Sequence, residues 1–226
     1  MFNDRVDAGA KLADRVQHLK RERPVVVALP RGGVPVAFEV AKALEAPLDV
    51  ILIRKIGAPG QPELAIGAIT DGDEVDLVLN EDLADATGAS AGYIERQKEI
   101  ELRKIEERRE RYFSGRARPG IEGRTVIVID DGIATGATMR VAVKALRRRG
   151  AGRLVVAVPV APPGTVESLQ REVDDVVCLD TPEFFPAVGA FYRDFAQTGD
   201  QEVVSLLDRA AAFGLAQSHR SGSEHQ

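Results

Sequence analysis

Cysteine is nearly absent from this chain: Cys178 stands alone among 226 residues, so an intramolecular disulfide is excluded. Its apolar neighbours Val176, Val177 and Leu179 read as a buried strand, which makes Cys178 a small core residue before a reactive thiol. Tryptophan is missing, and the three histidines (His18, His219, His225) show no transition-metal spacing with each other or with Cys178. No apolar run approaches the ~18 residues that span a bilayer. The N-terminal stretch MFNDRVDAGAKLADR is polar and charged, unlike a signal peptide. Positive charge is also short: the net charge of −5 lacks the excess of a nucleic-acid binder. These scarcities predict a soluble cytoplasmic protein without membrane or nucleic-acid partners. What is present, 44% hydrophobic and 29% charged residues, is ordinary for a globular chain large enough for one generous α/β domain.

Short apolar runs alternate with helical patterns. Residues 5–22 space Val6, Leu12, Val16 and Leu19 as an amphipathic helix. PVVVALP (24–30) reads as a strand buried on both faces, and VPVAFEVAKALEA (34–46) as a helix with Pro35 in its first turn. LDVILIRK (48–55) reads as a second buried strand, IGAPGQPE (56–63) as a mobile loop, and ELAIGAIT with VDLVLN as two strands of a hairpin. Residues 95–111 hold thirteen charged residues in seventeen, with opposite signs three and four apart, as in a solvated helix. RTVIVID (124–130), TMRVAVKALRRRG (138–150), RLVVAVPV, PGTVESLQREV and DVVCLD continue as strand, helix, strand, helix, strand. The alternation predicts an α/β fold with a single mostly parallel, Rossmann-like sheet covered by helices on both faces. Residues 181–199 hold four of the eight phenylalanines and suit a small hood. The expected organisation is one domain over 1–216, with a charged helical insertion at about 90–113 and a disordered polar tail over 217–226.

The stretch VIVIDDGIATGAT (126–138) carries the chemistry. A parallel strand delivers Asp130 and Asp131 to the sheet's carboxyl edge, where ligands of open α/β sheets bind. Gly132, Ile133, Ala134, Thr135, Gly136, Ala137 and Thr138 then bend into a helix whose free N–H groups and dipole favour a phosphate. Two acceptors for vicinal hydroxyls beside an anion cradle suit a pentose phosphate. The plain alternatives are a glycine-rich turn with incidental acids, or a Walker B strand. The second fails because G-x-x-x-x-G-K-[ST] occurs nowhere. Gly88-Ala89-Ser90-Ala91-Gly92 matches a hydrolase nucleophile elbow, but EDLADAT before it reads as a helical turn, so Ser90 is better taken as a helix N-cap.

VIVIDDGIATGATM resembles the phosphoribosyl pyrophosphate (PRPP) motif of the type I phosphoribosyltransferases, nearest in pattern to adenine phosphoribosyltransferase-like members. The resemblance implies that Asp130 and Asp131 hold the ribose hydroxyls and Gly132–Thr138 the 5′-phosphate. Leu29-Pro30-Arg31-Gly32-Gly33 resembles the family's pyrophosphate loop, implying that Arg31, Gly32 and Gly33 bind pyrophosphate. Arg54 and Lys55, followed by IGAPGQPELAIG, resemble its flexible catalytic loop, implying stabilisation of the leaving group. Glu63, Phe191 and Tyr192 are weaker candidates for the acceptor base. Hypoxanthine-guanine members carry an aspartate at the position of Ala134, and its absence argues against a 6-oxopurine. The implied activity is that of a Mg²⁺-dependent pentosyltransferase, a glycosyltransferase moving the phosphoribosyl group from PRPP to a nitrogen acceptor. The implied partners are PRPP, a small nitrogenous acceptor and a second copy in a homodimer. The alternative is a catalytically silent PRPP sensor.

Overall fold

The computed structural model describes residues 1–71, 76–113 and 117–213. The chain divides into two compact units: Met1–Val50 with the chain from Ala117 onward, and Ile51–Arg116. The expected tail over 217–226 and most of the turn between ELAIGAIT and VDLVLN lie outside the described residues.

The first unit opens with α1 (Arg5–Val16), a 3₁₀ segment over Gln17–Glu22, β1 (Val25–Ala28), α2 (Gly33–Leu44) and β2 (Leu48–Val50). The second unit supplies β3 (Ile53–Ala58), β4 (Gln61–Thr70), β5 (Asp76–Leu79), α3 (Glu81–Ala86) and α4 (Ala91–Phe113). The first unit then resumes with β6 (Thr125–Ile129), α5 (Ala137–Arg148), β7 (Arg153–Val160), α6 (Pro163–Gln170) and β8 (Asp175–Asp180). A 3₁₀ turn over Val188–Phe191 and α7 (Asp200–Ala210) complete it. No helix among the described residues is long and apolar enough to cross a membrane.

The first unit is an α/β structure around a five-stranded sheet, order β2-β1-β6-β7-β8, parallel throughout and flanked by helices. Burial on both faces explains the unbroken apolar runs: all four residues of β1 and Val126–Ile129 of β6 are buried. The topology also fixes where a ligand can bind. The crossover from β1 leads through α2 to β2 on one side, whereas that from β6 leads through α5 to β7 on the other. Chain direction therefore reverses between the hydrogen-bonded neighbours β1 and β6, paired from Val25↔Val126 to Ala28↔Ile129. Such a switch point opens a crevice beyond the strands' carboxyl ends.

The second unit holds an antiparallel sheet, β3-β4-β5, with α3 and α4. Here the structure corrects two sequence expectations. LDVILIRK is two strands: β2 ends at Val50 and β3 begins at Ile53 in the other sheet. Ile51 and Leu52 between them are buried, and an apolar run does not reveal which sheet it serves. IGAPGQPE is a β-hairpin, with Ala58 opposite Gln61 across a turn at Pro59 and Gly60 (φ +70°). Pro62 is tolerated because β4 meets β5 only from Gly67 onward. The charged segment is helical as expected. Its start is capped by the Ser90 hydroxyl accepting from Tyr93 N–H at 3.2 Å, and Ile105 and Tyr112 form its buried seam. The helix read over 5–22 ends at Val16 and tightens into 3₁₀ geometry from Gln17.

Within the first unit, Arg118 returns the chain beside β2. Its Nε meets the buried Asp49 carboxylate at 2.9 Å, and a second nitrogen donates to the Val50 carbonyl at 2.8 Å. Arg118→Ala would leave Asp49 without that cation and is expected to cost about 3 kcal/mol or more in chemical denaturation. A loss under about 0.5 kcal/mol would show that Asp49 needs no counter-charge.

Candidate functional site

The two loops at the switch point interlock. Leu29 N–H donates to the Ile129 carbonyl at 2.9 Å, so the chain leaving β1 is still tied to β6 as it turns. The Pro30–Arg31 peptide that follows is cis. A Cβ on Gly32 would lie 2.0 Å from an Asp131 carboxylate oxygen, and one on Gly33 would lie 2.8 Å from the Ile129 carbonyl. Both are impossible approaches, so these glycines exist to let the acidic loop sit against the β1 loop.

Asp131 is also fixed from outside the motif. Arg5, on α1, brings its Nε to the Asp131 carboxylate at 2.8 Å and donates from a second nitrogen to the Ala196 carbonyl at 2.7 Å. Its guanidinium lies 3.9 Å from the Phe195 ring centre, and the ion pair is largely shielded from solvent. Tyr192 donates its hydroxyl to the Asp131 carbonyl. Its ring is buried between Phe2 and Phe195, at 5.4 and 5.0 Å. Asp131 N–H in turn donates to the Asp130 carboxylate at 2.8 Å. Burial first, and then the adjacent Asp131 charge, push the Asp130 carboxyl well above the usual carboxylate range. Burial also pushes the Tyr192 hydroxyl far up, so it acts as a neutral donor.

The loop from Gly132 to Thr138 presents donors because its acceptors are occupied from behind. Thr165 donates to the Ala134 carbonyl at 2.7 Å, and Arg140 donates to the Thr135 carbonyl at 2.8 Å. Arg140 is itself held by Glu172 at 2.7 Å and Ser168 at 2.9 Å. Gly136, with φ +78°, starts α5 in a conformation that L side chains rarely adopt. Among the described residues the N–H groups of Gly132, Ala134, Thr135 and Gly136 meet no protein acceptor. Ile133 differs: its N–H donates to the Val160 carbonyl at 2.9 Å and its side chain is buried, so it anchors the loop. The result is a nest of open donors at a helix N-terminus, beside two carboxylates.

The remaining sequence candidates divide between the units. Arg31 lies at the β1 loop with its guanidinium 3.9 Å from Asp200. Residues 181–199 are secured to the N-terminus, with Phe2 N–H donating to the Phe191 carbonyl at 2.8 Å and Arg193 N–H to Phe2 at 2.9 Å. Val188 closes on Gly132, whose Cβ would stand 2.5 Å from a Val188 methyl. Phe191 is half-buried against Phe185 at 5.0 Å, whereas Phe184 is 82% exposed. Arg54, Lys55 and Glu63 belong to the second unit. Arg54 pairs with Glu101 at 2.8 Å, while Lys55 and Glu63 are exposed. Cys178 is only partly buried, and burial pushes its thiol up to about 11, so it stays protonated. Sequence reasoning missed Arg5, Arg140 and Thr165. Each is a polar residue on a helix, and nothing local separates it from an exposed one.

The first unit is thus a parallel α/β fold with an acid pair and an open N–H loop at its switch point. A family model described as the phosphoribosyl transferase domain matches residues 4–195, and the chain belongs to that family. It is 49% identical over 210 residues to a Mycobacterium tuberculosis protein named "Putative phosphoribosyl transferase Rv0571c", covering 93% of this chain and 47% of that protein. The chain thus spans about half the length of the curated relatives it matches at this level. It is also 34% identical over 85 residues to a uracil phosphoribosyltransferase of Lactobacillus gasseri, over 37% of this chain and 41% of that one. Among solved structures, TT1426 from Thermus thermophilus superposes with a TM-score of 0.79 at 45% identity, over 92% of this chain and 97% of that one.

Two expectations follow from this geometry. Gly32→Ala should leave the sheet intact by circular dichroism yet lower Tm, because Asp131 and Arg5 must move together. An unchanged Tm would mean that the loops are not interlocked. The second concerns Asp130. The folded state holds its proton to higher pH than the unfolded chain does, whose carboxyl titrates near about 3.9. Its contribution to stability is therefore intact below that value and lost as pH rises through the folded value. Asp130→Asn should thus raise Tm at pH 8, by about 2–4 °C for each kcal/mol recovered, with the gain closing towards pH 4. A variant no more stable than wild type at pH 8 would contradict this.

Proposed function

We propose that the protein transfers the 5-phosphoribosyl group of PRPP to a nitrogen acceptor and releases pyrophosphate. The observation that carries this reading is the interlock of the acidic loop with the Arg31-Gly32-Gly33 loop, beside the open N–H groups of Gly132–Gly136. A bound PRPP would set its ribose hydroxyls on Asp130 and Asp131, its 5′-phosphate on the α5 loop and its pyrophosphate on the β1 loop. Arg5 and Tyr192 keep Asp131 in place, and Arg140 and Thr165 keep the donors of the phosphate loop facing outward. As the bond at ribose C1 breaks ahead of bond making, the carboxylate pair supplies negative charge close to the developing cation. Arg31 takes the leaving pyrophosphate, and the family resemblance assigns Arg54 and Lys55 to the same task. Positioning and fixed charge, rather than covalent chemistry, then account for the acceleration.

Among the described residues no three His, Cys, Asp or Glu side chains gather as a metal cage. Two rim carboxylates, one of them already paired with Arg5, suit a cation that keeps most of its shell in water and substrate oxygens, as Mg²⁺ does. Bound through PRPP with Asp130 and Asp131, Mg²⁺ would neutralise the pyrophosphate. A nucleobase is the acceptor we favour. The stretch shared with the uracil phosphoribosyltransferase supports it, as do the aromatic side chains of 181–199. Phe191 and the exposed Phe184 are our candidates to offer the acceptor apolar surface, and Glu63 is the candidate to take its proton.

The test is PRPP-dependent pyrophosphate release with Mg²⁺ and a pooled panel of nucleobases. Wild type should release pyrophosphate, and the Asp130→Asn/Asp131→Asn variant should be slower by about 100-fold or more. PRPP binding without release across the panel would overturn transfer to a nucleobase and favour a PRPP sensor.

A further inference from the structure

The sequence leaves helix α4 without a role, yet its charges are unevenly matched. Lys98 has Glu95 three residues before it, at 3.1 Å, and Lys104 has Glu101, at 2.6 Å. Arg108 has no such neighbour: positions 104, 105, 111 and 112 are Lys, Ile, Arg and Tyr. Arg108 is half-buried, and its guanidinium makes no hydrogen bond or ion pair among the described residues. A partly shielded guanidinium with five donors and no protein acceptor is available to an anion.

The surroundings of Arg108 point to which anion. Lys104, Arg108 and Arg111 recur at helical spacing along one face of α4 and, with Glu107 and Arg54 of β3, line a solvent-open cleft of about 190 Å³. Four cations and one carboxylate line it, with Glu101 paired to two of the cations, in a chain whose net charge is −5. Glu101 fixes two of the cations, accepting from Arg54 on one oxygen and Lys104 on the other. Burial works to raise the Glu101 carboxyl, but hydrogen bonds from Lys104 and Arg54 outweigh it and keep the group ionised. Arg54 and Lys104 are thus held in place by one shared carboxylate. Three arginines offer planar, two-pronged donors that match phosphate oxygens, and the lysine adds a point charge.

We propose that this cleft, built wholly within the unit Ile51–Arg116, binds an oligophosphate: inorganic pyrophosphate or tripolyphosphate, or the phosphate arm of a nucleotide. A single phosphate would meet only part of the four-cation lining, whereas a chain of two or three offers oxygens to more of it at once. The site stands independently of the transfer reading, since its occupancy requires neither PRPP nor Asp130 and Asp131.

The experiment is calorimetric titration of the full chain, in low salt without Mg²⁺, with orthophosphate, pyrophosphate, tripolyphosphate and a nucleoside triphosphate in separate arms. Wild type should bind tripolyphosphate saturably, more tightly than orthophosphate, and more weakly as salt rises. Arg108→Ala should weaken that event by about tenfold or more, Arg111→Ala should also weaken it, and Arg108→Lys should restore part of it. Lys98→Ala should leave it unchanged, which separates the cleft from general helix charge. The cleft event should also persist in an Arg31→Ala background, where the β1 loop no longer contributes, and be lost there on adding Arg108→Ala. Equal affinity for the inorganic and nucleotide arms would show that phosphate alone is read, and tighter nucleotide binding that the cleft serves a nucleotide. Titrations that are the same for wild type and Arg108→Ala, including no binding in either, would overturn the proposal. Failure here with pyrophosphate release intact would leave the transfer reading standing, and the reverse result would leave the cleft.

Discussion

Everything at this site depends on one approach: the Asp131 carboxylate rests where a Gly32 side chain would begin. That closeness is possible only because β1 and β6 are adjacent parallel strands that end level, Ala28 opposite Ile129. Two chain segments about 100 residues apart in sequence are thereby set side by side, one presenting acids and the other glycines. The buried valines and isoleucines of both strands hold the register. A slip of one residue would reverse which side chains reach the rim.

The acids are kept in an unfavourable arrangement. Two carboxylates share one desolvated corner, Asp131 is neutralised by Arg5, and Asp130 is left to hold its proton more tightly than a free carboxyl. A fold optimised for stability alone would not place them so. The surrounding groups offset the cost: Tyr192 on the Asp131 carbonyl, Arg5 on its carboxylate, and Phe195 under the Arg5 guanidinium.

Much of this was legible in the sequence, for definite reasons. The strands β1, β6, β7 and β8 are short, largely apolar and bounded by turns, and the acid pair followed by A-T-G-A-T sits at the one place in a parallel sheet where a phosphate is naturally held. The split of LDVILIRK was not legible, because both halves are buried and nothing in Val50-Ile51-Leu52-Ile53 marks a change of sheet. IGAPGQPE looked like a loop because its prolines and glycines are those of a turn. Its hydrogen-bonded ladder is imposed by the pairing of β3 with β4. Arg5 was out of reach for another reason: its partner is 126 positions away, and nothing local separates it from the exposed charges of α1. Tyr192 reads as a ring available to a ligand and turns out to be buried, with its hydroxyl spent on the main chain of the acid loop.

The central claim is that the two loops form one PRPP site. Its most direct test is a crystal structure of the protein soaked with PRPP and Mg²⁺. The claim predicts one PRPP per chain, with the 5′-phosphate on the N–H groups of Ala134, Thr135 and Gly136, the ribose hydroxyls on Asp130 and Asp131, and the pyrophosphate on Arg31, Gly32 and Gly33. An empty switch point at saturating PRPP, or PRPP bound away from both loops, would contradict it.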